Sequence, residues 1–316
     1  MDRHQWLRRR TYRGADYGAE RLAEAARRRG LSVSVCLPTL NVAETVGPIV
    51  AAVRERLVER AELVDEIVVV DSRSADGTVA AAEAAGARVV QDDEVLPALG
   101  PGRGKGEAMW KSLAVLRGDL VVWLDADVVG FDPAFVTGLV GPLVEEPEVG
   151  YVKAVYRRAL GGADEGGGRV TEICARPLIN LFYPELAGFA QPLSGEAAGR
   201  RDLLSSVPFF TGYAVELVLL IDLSRRAGLG ALAQVDLGAR RHVNQPTAAL
   251  GAMASTITQA VLRRLVDEGR APEALLEGAG RYARPVPGDD GLVLVEVNTR
   301  PAERPPMAQA LATSPA

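Results

Sequence analysis

The chain has 316 residues, of which 48% are hydrophobic and 24% charged, a composition typical of a folded globular protein and too apolar for a disordered one. Its net charge of -5 offers no basic footprint for nucleic acid, so we expect no nucleic-acid partner. Cys36 and Cys174 lie in apolar surroundings and predict free thiols in a reducing compartment. Because no apolar stretch reaches the length of a membrane span, we expect a cytoplasmic protein without stable membrane association.

The N-terminal part predicts an arm followed by a strand and a helix. Residues 1–30 are rich in Arg and Glu and predict at most one weakly amphipathic helix. Ser32 to Leu37 is a β-branched apolar run that predicts a strand broken at Pro38. Apolar residues at helical spacing from Val46 to Leu57 predict the next helix. Asn41 and Glu44 have the spacing of a capping box at its start, a structural role that competes with ligand binding by Glu44.

Two further strands precede a glycine-rich loop. Glu66 to Asp71 and Ala87 to Gln91 predict these strands, and Ser72 opens the turn after the first. The loop ends at Lys105, where a helix begins, but no Ser or Thr follows this lysine, so the loop is not a Walker motif. A lysine at a helix start is well placed for phosphate, because amide donors and the helix dipole favour anions there. A solvated loop lysine remains the alternative.

The run from Val121 to Val129 predicts a buried strand that carries two carboxylates near its end. Alternation along a strand places Asp125 and Asp127 on the same side. Their mutual repulsion predicts a divalent cation, Mg²⁺ or Mn²⁺, of the kind that also binds a diphosphate. The alternative is a turn in which Asp127 caps the next helix. Strand and helix alternate four times up to this point, which predicts a doubly wound α/β half with its ligand at the carboxyl edge of the sheet.

The sequence of the second half predicts a turn that binds an anion and one carboxylate whose burial is unfavourable. A glycine-rich segment delivers Gly168, Arg169, Val170 and Thr171 to a helix start, which predicts a cradle for phosphate or carboxylate; a flexible connection with an ordinary cap is the alternative. Glu216 lies on a helix that is apolar on almost every face, so it must be paired or functional.

Three further features complete the second half. Asp222 has a structural partner in Arg226 four residues later, so we leave it out of the site. His242 follows Arg240 and Arg241, which favours an anion-rich site there, although a solitary histidine is more often structural. From about Gly269 the chain is rich in Pro, Gly and charge, and we expect Pro301 to Ala316 to be disordered.

In this order, the motifs resemble the group of retaining glycosyltransferases that comprises the glucosyl-3-phosphoglycerate and mannosyl-3-phosphoglycerate synthases. The resemblance covers residues 31 to about 265. It rests on Pro38-Thr39-Leu40-Asn41 with Glu44, Val70-Asp71-Ser72, Gly104-Lys105-Gly106-Glu107, Asp125-Ala126-Asp127, Gly168-Arg169-Val170-Thr171, Leu193-Ser194-Gly195-Glu196, Gly212-Tyr213-Ala214-Val215-Glu216 and Arg240-Arg241-His242.

The resemblance implies a GT-A fold, an α/β Rossmann-like mixed sheet flanked by helices. Its parts would be an N-terminal arm (1–30), a nucleotide-sugar-binding half (31–150), an acceptor-binding half (151–268) and a partly disordered C-terminal extension (269–316). It also implies a homodimer and a metal-dependent transfer of a hexose, with retention, to the 2-hydroxyl of 3-phosphoglycerate. Glucose from UDP-glucose or GDP-glucose is favoured. GDP-mannose is the alternative donor, because Ala197 and Ala214 depart from the expected pattern beside the sugar.

The resemblance also assigns site residues by position. The donor would be held by Pro38, Leu40, Glu44, Ser72, Lys105 and Asp125, the metal by Asp127 and His242, and the acceptor by Gly168, Arg169, Val170 and Thr171, with Glu216, Leu193 and Arg240 at the reacting centre. Two more distant alternatives are an inverting transferase that acts on a polyprenyl phosphate and an inactive nucleotide-sugar sensor.

Overall fold

A computed structural model describes residues 1–160, 163–166, 168–240, 247–288 and 291–313. Within these ranges, the side chains of residues 157–160, 163–166, 239–240, 247–248 and 288 are not described. His242 and Arg241 therefore lie outside the described residues, and of Arg240 only the backbone is described.

The described part alternates helices and strands. The α-helices are α1 (Arg3–Arg9), α2 (Ala19–Arg28), α3 (Ala43–Val53), α4 (Thr78–Ala84), α5 (Lys105–Val115), α6 (Ala134–Glu145), α7 (Arg176–Phe182), α8 (Arg201–Ser205), α9 (Val215–Ala227), α10 (Thr247–Asp267) and α11 (Met307–Thr313). The strands are β1 (Thr11–Arg13), β2 (Val33–Thr39), β3 (Glu66–Asp71), β4 (Arg88–Gln91), β5 (Leu120–Trp123), β6 (Tyr151–Leu160), β7 (Ala163–Gly166), β8 (Ala197–Arg200), β9 (Phe209–Phe210), β10 (Leu232–Arg240), β11 (Arg281–Gly288), β12 (Gly291–Asn298) and β13 (Glu303–Arg304). Two π-helical segments, Arg54–Arg60 and Thr171–Ala175, adjoin α3 and α7.

One mixed sheet dominates the structure. Its order is β1-β10-β6-β8-β5-β2-β3-β4, and β7 pairs with β6. Only β8 on this path runs antiparallel to its neighbours, β5 and β6; the other neighbouring pairs are parallel. This confirms the predicted α/β architecture with a mixed sheet.

Helices cover both faces of this sheet. In β2, Val35 and Leu37 pack into one hydrophobic cluster with α2, α3 and α6, while Cys36 packs into the other with α5 and α9. Such continuous apolar runs are typical of parallel strands buried on both faces. The carboxyl ends of β2, β3 and β5 therefore meet at one edge between two helical layers, where the sequence predicts the ligand.

The N-terminal segment is more integrated than predicted. Instead of at most one helix, it forms α1, the edge strand β1 and α2, and β1 pairs with β10 in the main sheet. Trp6 is fully buried, and its Nε1 donates to the Leu232 carbonyl at 2.7 Å. A three-residue strand is too short to show a periodic pattern, which is why the sequence did not reveal it.

The prediction of a disordered tail is wrong for the described residues up to Thr313. Strand β13 pairs with β9, and α11 buries Met307 and Ala310 against the core cluster that contains α5. Residues 314–316 lie outside the description. The tail is held by specific side-chain contacts, such as Trp110 Nε1 donating to the Pro305 carbonyl at 2.8 Å, which composition does not show.

The predicted capping box at α3 is also wrong. The helix begins at Ala43, and its first amide groups are capped from the neighbouring loop: Ala43 N donates to Asp76 Oδ2 at 3.1 Å, and Val42 N donates to Thr78 Oγ1 at 2.8 Å. Asn41 instead adopts φ 54° and accepts from Ala75 N at 2.9 Å. The cap is a tertiary contact, and local spacing cannot predict it.

Within the described residues, no helix combines the length and the apolar character that a bilayer crossing requires.

Candidate functional site

A cavity of about 400 Å³ lies at the carboxyl edge of the sheet. Segments from both halves of the chain meet in it. It is lined by Pro38, Thr39, Leu40, Val42, Ser72, Gly104, Lys105, Ala108, Asp125, Ala126, Asp127, Gly168, Arg169, Val170, Thr171, Leu193, Gly195, Gly212, Tyr213, Glu216, Leu250, Met253 and Ile257. Nearly every described side chain for which the sequence predicts a site role is in this set; the exception is Glu44, which is exposed on α3 and does not line the cavity.

The end of β2 and the loop after β3 form one wall. The buried Asp71 side chain joins them, because its Oδ1 accepts from Thr39 Oγ1 at 2.9 Å and from Ser74 Oγ at 2.6 Å. Ser72 Oγ donates to Asp92 Oδ2 at 2.6 Å. Burial raises the pKa of the Asp92 carboxyl, although this hydrogen bond opposes the shift. These contacts fix the backbone that presents Pro38, Leu40 and Ser72 to the cavity.

Lys105 is the first residue of α5 and the centre of a charge cluster. Its Nζ contacts Asp125 Oδ1, lies 3.2 Å from Glu216 Oε1 and donates to the Gly195 carbonyl at 3.2 Å. Burial alone would lower the pKa of the Lys105 ammonium, but the carboxylates of Asp125 and Glu216 hold it above its ordinary value. Lys105 is therefore a cation in this cavity, placed at a helix N-terminus that also favours anions.

Two glycines permit this close assembly. A Cβ at Gly106 would lie 2.0 Å from the Phe210 carbonyl oxygen, so α5 can approach β9 only without a side chain there. A Cβ at Gly195 would lie 2.2 Å from both Asp125 carboxylate oxygens. The turn from Leu193 to Glu196 therefore reaches the carboxylate cluster only because residue 195 is glycine.

Asp125 and Asp127 both line the cavity, but not by alternation along a strand. Strand β5 ends at Trp123, so the predicted strand to Val129 is too long. Asp125 lies beside Lys105, whereas Asp127 is exposed. The described residues contain no group of three or more His, Cys, Asp or Glu side chains that could hold a metal ion. One exposed carboxylate fits Mg²⁺ or Mn²⁺, because Mg²⁺ is commonly bound by one or two carboxylates together with substrate phosphates.

The second half of the chain contributes a turn that carries a positive charge, in contrast to the carboxylates of the first half. Gly168 has φ 82°, and the Glu172 amide donates to its carbonyl at 3.1 Å, so the turn leads into the π-helical segment. Pro177 lies in the first turn of α7, where the helix changes from π to α winding. Arg169 and Thr171 lie on this turn at the cavity.

Glu216 is buried in the first turn of α9 and is paired with Lys105. The free-energy cost of burying a carboxylate in an apolar helix predicts such a partner. Asp222, six residues later, is also paired, but not with Arg226. Its two carboxylate oxygens accept from Arg264 of α10, both at 2.8 Å. Burial raises the pKa of Asp222 to about 6 despite this partner. Asp222 therefore has a structural partner, as predicted, but the predicted identity of that partner is wrong. The ion pair joins two helices, and spacing within one helix cannot predict it.

Several lining residues were not predicted for the site. The apolar wall formed by Leu250, Met253 and Ile257 belongs to α10, whose spacing predicts only a helix face. Four other lining residues lie inside motifs that were identified from the sequence, and their place in those motifs could have indicated a site role. They are Gly104, Gly195, Gly212 and Tyr213.

The model of the family described as glycosyl transferase family 2 matches residues 34–205, more than half of the chain. The chain belongs to glycosyltransferase family 2. A relative from Petrotoga mobilis, named glucosyl-3-phosphoglycerate synthase, is 44% identical over 290 residues that span 90% of this chain and 89% of the relative.

Solved structures agree on the fold of this family 2 glycosyltransferase. The crystal structure of mannosyl-3-phosphoglycerate synthase from Rubrobacter xylanophilus is 45% identical with a TM-score of 0.90, covering 98% of each chain. The crystal structure of glucosyl-3-phosphoglycerate synthase from Mycobacterium tuberculosis, in complex with Mn²⁺, UDP and glucosyl-3-phosphoglycerate, is 40% identical with a TM-score of 0.81, covering 93% of this chain and 96% of that chain. The same enzyme was also solved with Mg²⁺ and UDP. These findings confirm the predicted GT-A fold and the resemblance to the group of glucosyl-3-phosphoglycerate and mannosyl-3-phosphoglycerate synthases.

The cavity of this family 2 glycosyltransferase combines groups that suit transfer from an activated sugar. A cation at a helix start can neutralise negative charge on a departing diphosphate. A carboxylate at the edge of the same cavity can share a divalent cation with phosphate oxygens. A turn with Arg169 and backbone amides can hold a second, anionic substrate.

Proposed function

We propose that this chain transfers a hexose, with glucose favoured, from a nucleotide-sugar to the 2-hydroxyl of D-3-phosphoglycerate, with retention of the anomeric configuration. One observation carries the proposal: a single cavity is lined both by Lys105, Asp125, Asp127 and Glu216 and by the Gly168–Thr171 turn. A donor diphosphate and a small anionic acceptor therefore find complementary groups side by side. The glucosyl-3-phosphoglycerate synthases described above support the same reaction.

The donor is held on the side of the first half. Pro38, Leu40 and Ser72 face the nucleotide, and Asp125 fixes Lys105 next to the diphosphate. Asp127 holds Mg²⁺ or Mn²⁺ with the phosphate oxygens, and the metal supplies electrophilic stabilisation of the leaving group. The roles that the resemblance implies for Glu44, Arg240 and His242 remain proposals, since Glu44 does not line the cavity and the other two side chains lie outside the described residues.

The chemistry then needs positioning and charge stabilisation. Lys105 and Arg240 stabilise the departing diphosphate, while Arg169 and Thr171 orient the phosphate or carboxylate of the acceptor. The acceptor hydroxyl attacks the anomeric carbon on the face from which the diphosphate leaves, and its proton passes to the departing diphosphate oxygen as the bond from that oxygen to the sugar breaks. Glu216 and Leu193 line the cavity, where the Glu216 carboxylate and the Leu193 carbonyl orient the sugar and the attacking hydroxyl. No covalent intermediate is required.

The direct test is a transfer assay. Purified protein is incubated with Mg²⁺, D-3-phosphoglycerate and, separately, UDP-glucose, GDP-glucose or GDP-mannose, and the glycosylated acid is detected by mass spectrometry. We expect product with a glucose donor, and an α-anomeric proton in its NMR spectrum when the α-linked donor is used. A β-anomeric product would contradict retention. Absence of product from every donor, with nucleotide binding intact, would contradict the proposed acceptor.

A mannosyl transfer from GDP-mannose is the second candidate function. The observation that favours it is the similarity to the mannosyl-3-phosphoglycerate synthase of Rubrobacter xylanophilus. An equimolar mixture of UDP-glucose and GDP-mannose decides between them, since the two products differ in chromatographic retention after hydrolysis to the free sugar. Predominant mannosyl product would replace the glucosyl assignment without changing the acceptor or the site.

The acceptor turn has a separate test. Arg169→Ala is expected to raise KM for 3-phosphoglycerate roughly 10- to 100-fold, the range for loss of a charge-assisted contact. Arg176→Ala is the matched control, because this arginine lies two turns later and pairs with Glu172 at 2.8 Å. Equal KM values for the two variants would remove Arg169 from the acceptor site.

We also infer a homodimer and a cytoplasmic location. The hairpin of β11 and β12 supports the dimer, because β12 is exposed along its whole length and carries Leu292 and Leu294. A two-stranded hairpin is marginally stable alone, and a second copy would cover these side chains. We expect Leu292→Asp with Leu294→Asp to give a monomer in light scattering, whereas the exposed Leu311→Asp stays dimeric. The two free thiols support a reducing compartment.

A further inference from the structure

Lys153 is a fully buried lysine whose side chain has no hydrogen-bond partner among the described residues. It lies in β6, only 1% of its surface is exposed, and its Nζ makes no hydrogen bond to the part of the chain that the structure describes. Its register partners are Ala197 in β8 and Gln234 in β10. Ala197 packs into the cluster that contains α9, so Lys153 points to the sheet face on which Glu216 lies. Burying an unpaired ammonium is costly, so this position calls for a role other than stability.

Lys111 shows what an ordinary buried lysine looks like in this chain. It is also 1% exposed, on α5, but its Nζ lies 3.2 Å from Glu107 Oε1. Both lysines have the same burial, and they differ in whether a carboxylate is in contact. The contrast makes Lys111 a matched reference for substitutions at Lys153.

The charged groups that act on Lys153 are Glu216, Lys105, Asp125 and Glu196, and the first three of these line the candidate site. Burial lowers the pKa of Lys153 to about 8; Lys105 acts in the same direction, while Glu216, Asp125 and Glu196 oppose the shift. The ammonium therefore senses both carboxylates that Lys105 contacts, although Lys153 itself does not line the cavity.

The contacts of Lys105 explain why a second cation is useful. An ammonium has three N–H donors, and Lys105 Nζ already faces Asp125, Glu216 and the Gly195 carbonyl. A donor diphosphate can be bound by Lys105 only if at least one of these contacts is given up. Glu216 is 7% exposed, so releasing it would leave a buried carboxylate with too little compensating charge.

We propose that Lys153 is a positioning residue, a second counter-cation that stabilises the Glu216 carboxylate when Lys105 turns to the donor diphosphate. This inference rests on the proposed function, because it takes a nucleotide diphosphate as the group that recruits Lys105. It has a consequence for binding. A residue that stabilises the occupied site more than the empty one must strengthen nucleotide binding, even without touching the nucleotide.

The test is a double-mutant cycle read by isothermal titration calorimetry with UDP and with GDP, each in the presence of Mg²⁺. The proteins are the full-length wild type, Lys153→Met, Glu216→Gln and the double variant. We expect Lys153→Met to weaken binding of the preferred nucleotide about tenfold, and by less than about twofold when Glu216→Gln is already present. The control Lys111→Met is expected to bind within about twofold of wild type.

Thermal unfolding separates this role from a structural one. Because Lys153 has no partner to lose, Lys153→Met is expected to melt at or above the temperature of the wild type, whereas Lys111→Met melts below it. Lys153→Gln, which keeps a donor without the charge, serves as the second variant and is expected to show the same loss of affinity.

Two results would overturn the inference: nucleotide affinity of Lys153→Met equal to that of Lys111→Met, or a tenfold loss that persists unchanged with Glu216→Gln. The proposed function is judged separately by product formation in the wild type. If the wild type binds nucleotide but forms no product, the reaction assignment fails while the binding cycle still decides the role of Lys153.

Discussion

Arg304 connects the C-terminal tail to α5, which begins at Lys105, and to the loop before it. Its replacement tests whether the tail is part of the folded core. Its Nε and Nη2 donate to the two oxygens of the fully buried Glu107 carboxylate at 2.7 and 2.8 Å. Its Nη2 also donates to the Gly100 carbonyl at 3.0 Å, and its guanidinium stacks on Trp110 at 5.4 Å. The change is Arg304→Met, which keeps much of the side-chain volume without the charge.

The magnitude follows from burial. The two side chains of the pair are 12% and 0% exposed, and removing one partner of a buried ion pair costs about 3–5 kcal/mol. Because Lys111 remains beside Glu107, we take the lower end, about 3 kcal/mol. An unfolding entropy of about 2.1 cal/mol/K per residue gives about 0.66 kcal/mol/K for 316 residues, so Tm is expected to fall by about 4 to 5 °C.

Differential scanning calorimetry of the full chain measures this shift. The control is Arg27→Met, because Arg27 pairs with Glu62 at 3.3 Å where both side chains are more than half exposed. A surface pair of this kind contributes little, so the control is expected to change Tm by less than about 1 °C. If Arg304→Met and the control shift Tm equally, the tail does not stabilise the fold through Glu107 and the reasoning fails.

Three further predictions concern the site. Gly195→Ala, whose Cβ would displace the Asp125 carboxylate, is expected to reduce turnover in the transfer assay about 100-fold, whereas Gly278→Ala, with nothing within 4 Å, leaves it unchanged. Asp127→Asn is expected to lower turnover at saturating Mg²⁺ about 100-fold, and Asp132→Asn on the same loop is the control; equal activities would contradict a metal role for Asp127. For Lys153, whose folded pKa of about 8 lies below the ordinary 10.5, the unfolded chain holds more protons between these values, so the stability of the wild type in urea, measured relative to that of Lys153→Met, should rise with pH from about 8 to 10.5. Parallel stability curves for the two proteins would contradict this prediction.

The sequence predicted the parts of the fold that local patterns determine. Strand β3 has the predicted bounds, because Glu66 to Asp71 is a continuous β-branched run that ends at a turn. The strand over Val121 to Val129 was predicted too long, since apolar residues continue into the loop after Trp123. Hydrophobicity indicates burial, and in that loop it does not indicate strand geometry.

Charge arguments predicted the site better than spacing did. The cost of burying Glu216 in an apolar helix predicted a partner or a function, and Lys105 provides the partner. The partner of Asp222 was assigned by spacing to Arg226, but the buried pair is formed by Arg264, 42 residues away. Lys153 received no role at all from the sequence, because its isolation becomes visible only when its neighbours in β8 and β10 are known.

The same charges give a physical reason for the metal. Among the side chains that the structure describes, the cavity and the layer behind it hold four carboxylates and three cations, and a bound diphosphate adds negative charge to that excess. Lys105 cannot compensate for all of it, because its donors are already shared between two carboxylates and a carbonyl. A divalent cation at Asp127 restores the balance at the exposed end of the cluster, and Lys153 does so at the buried end. The two ends should therefore respond differently: raising Mg²⁺ to saturation should recover part of the activity that an Asp127 variant loses at low Mg²⁺, whereas it should not do so for a Lys153 variant. The carboxylates are Asp125, Asp127, Glu196 and Glu216, and the cations are Lys105, Lys153 and Arg169.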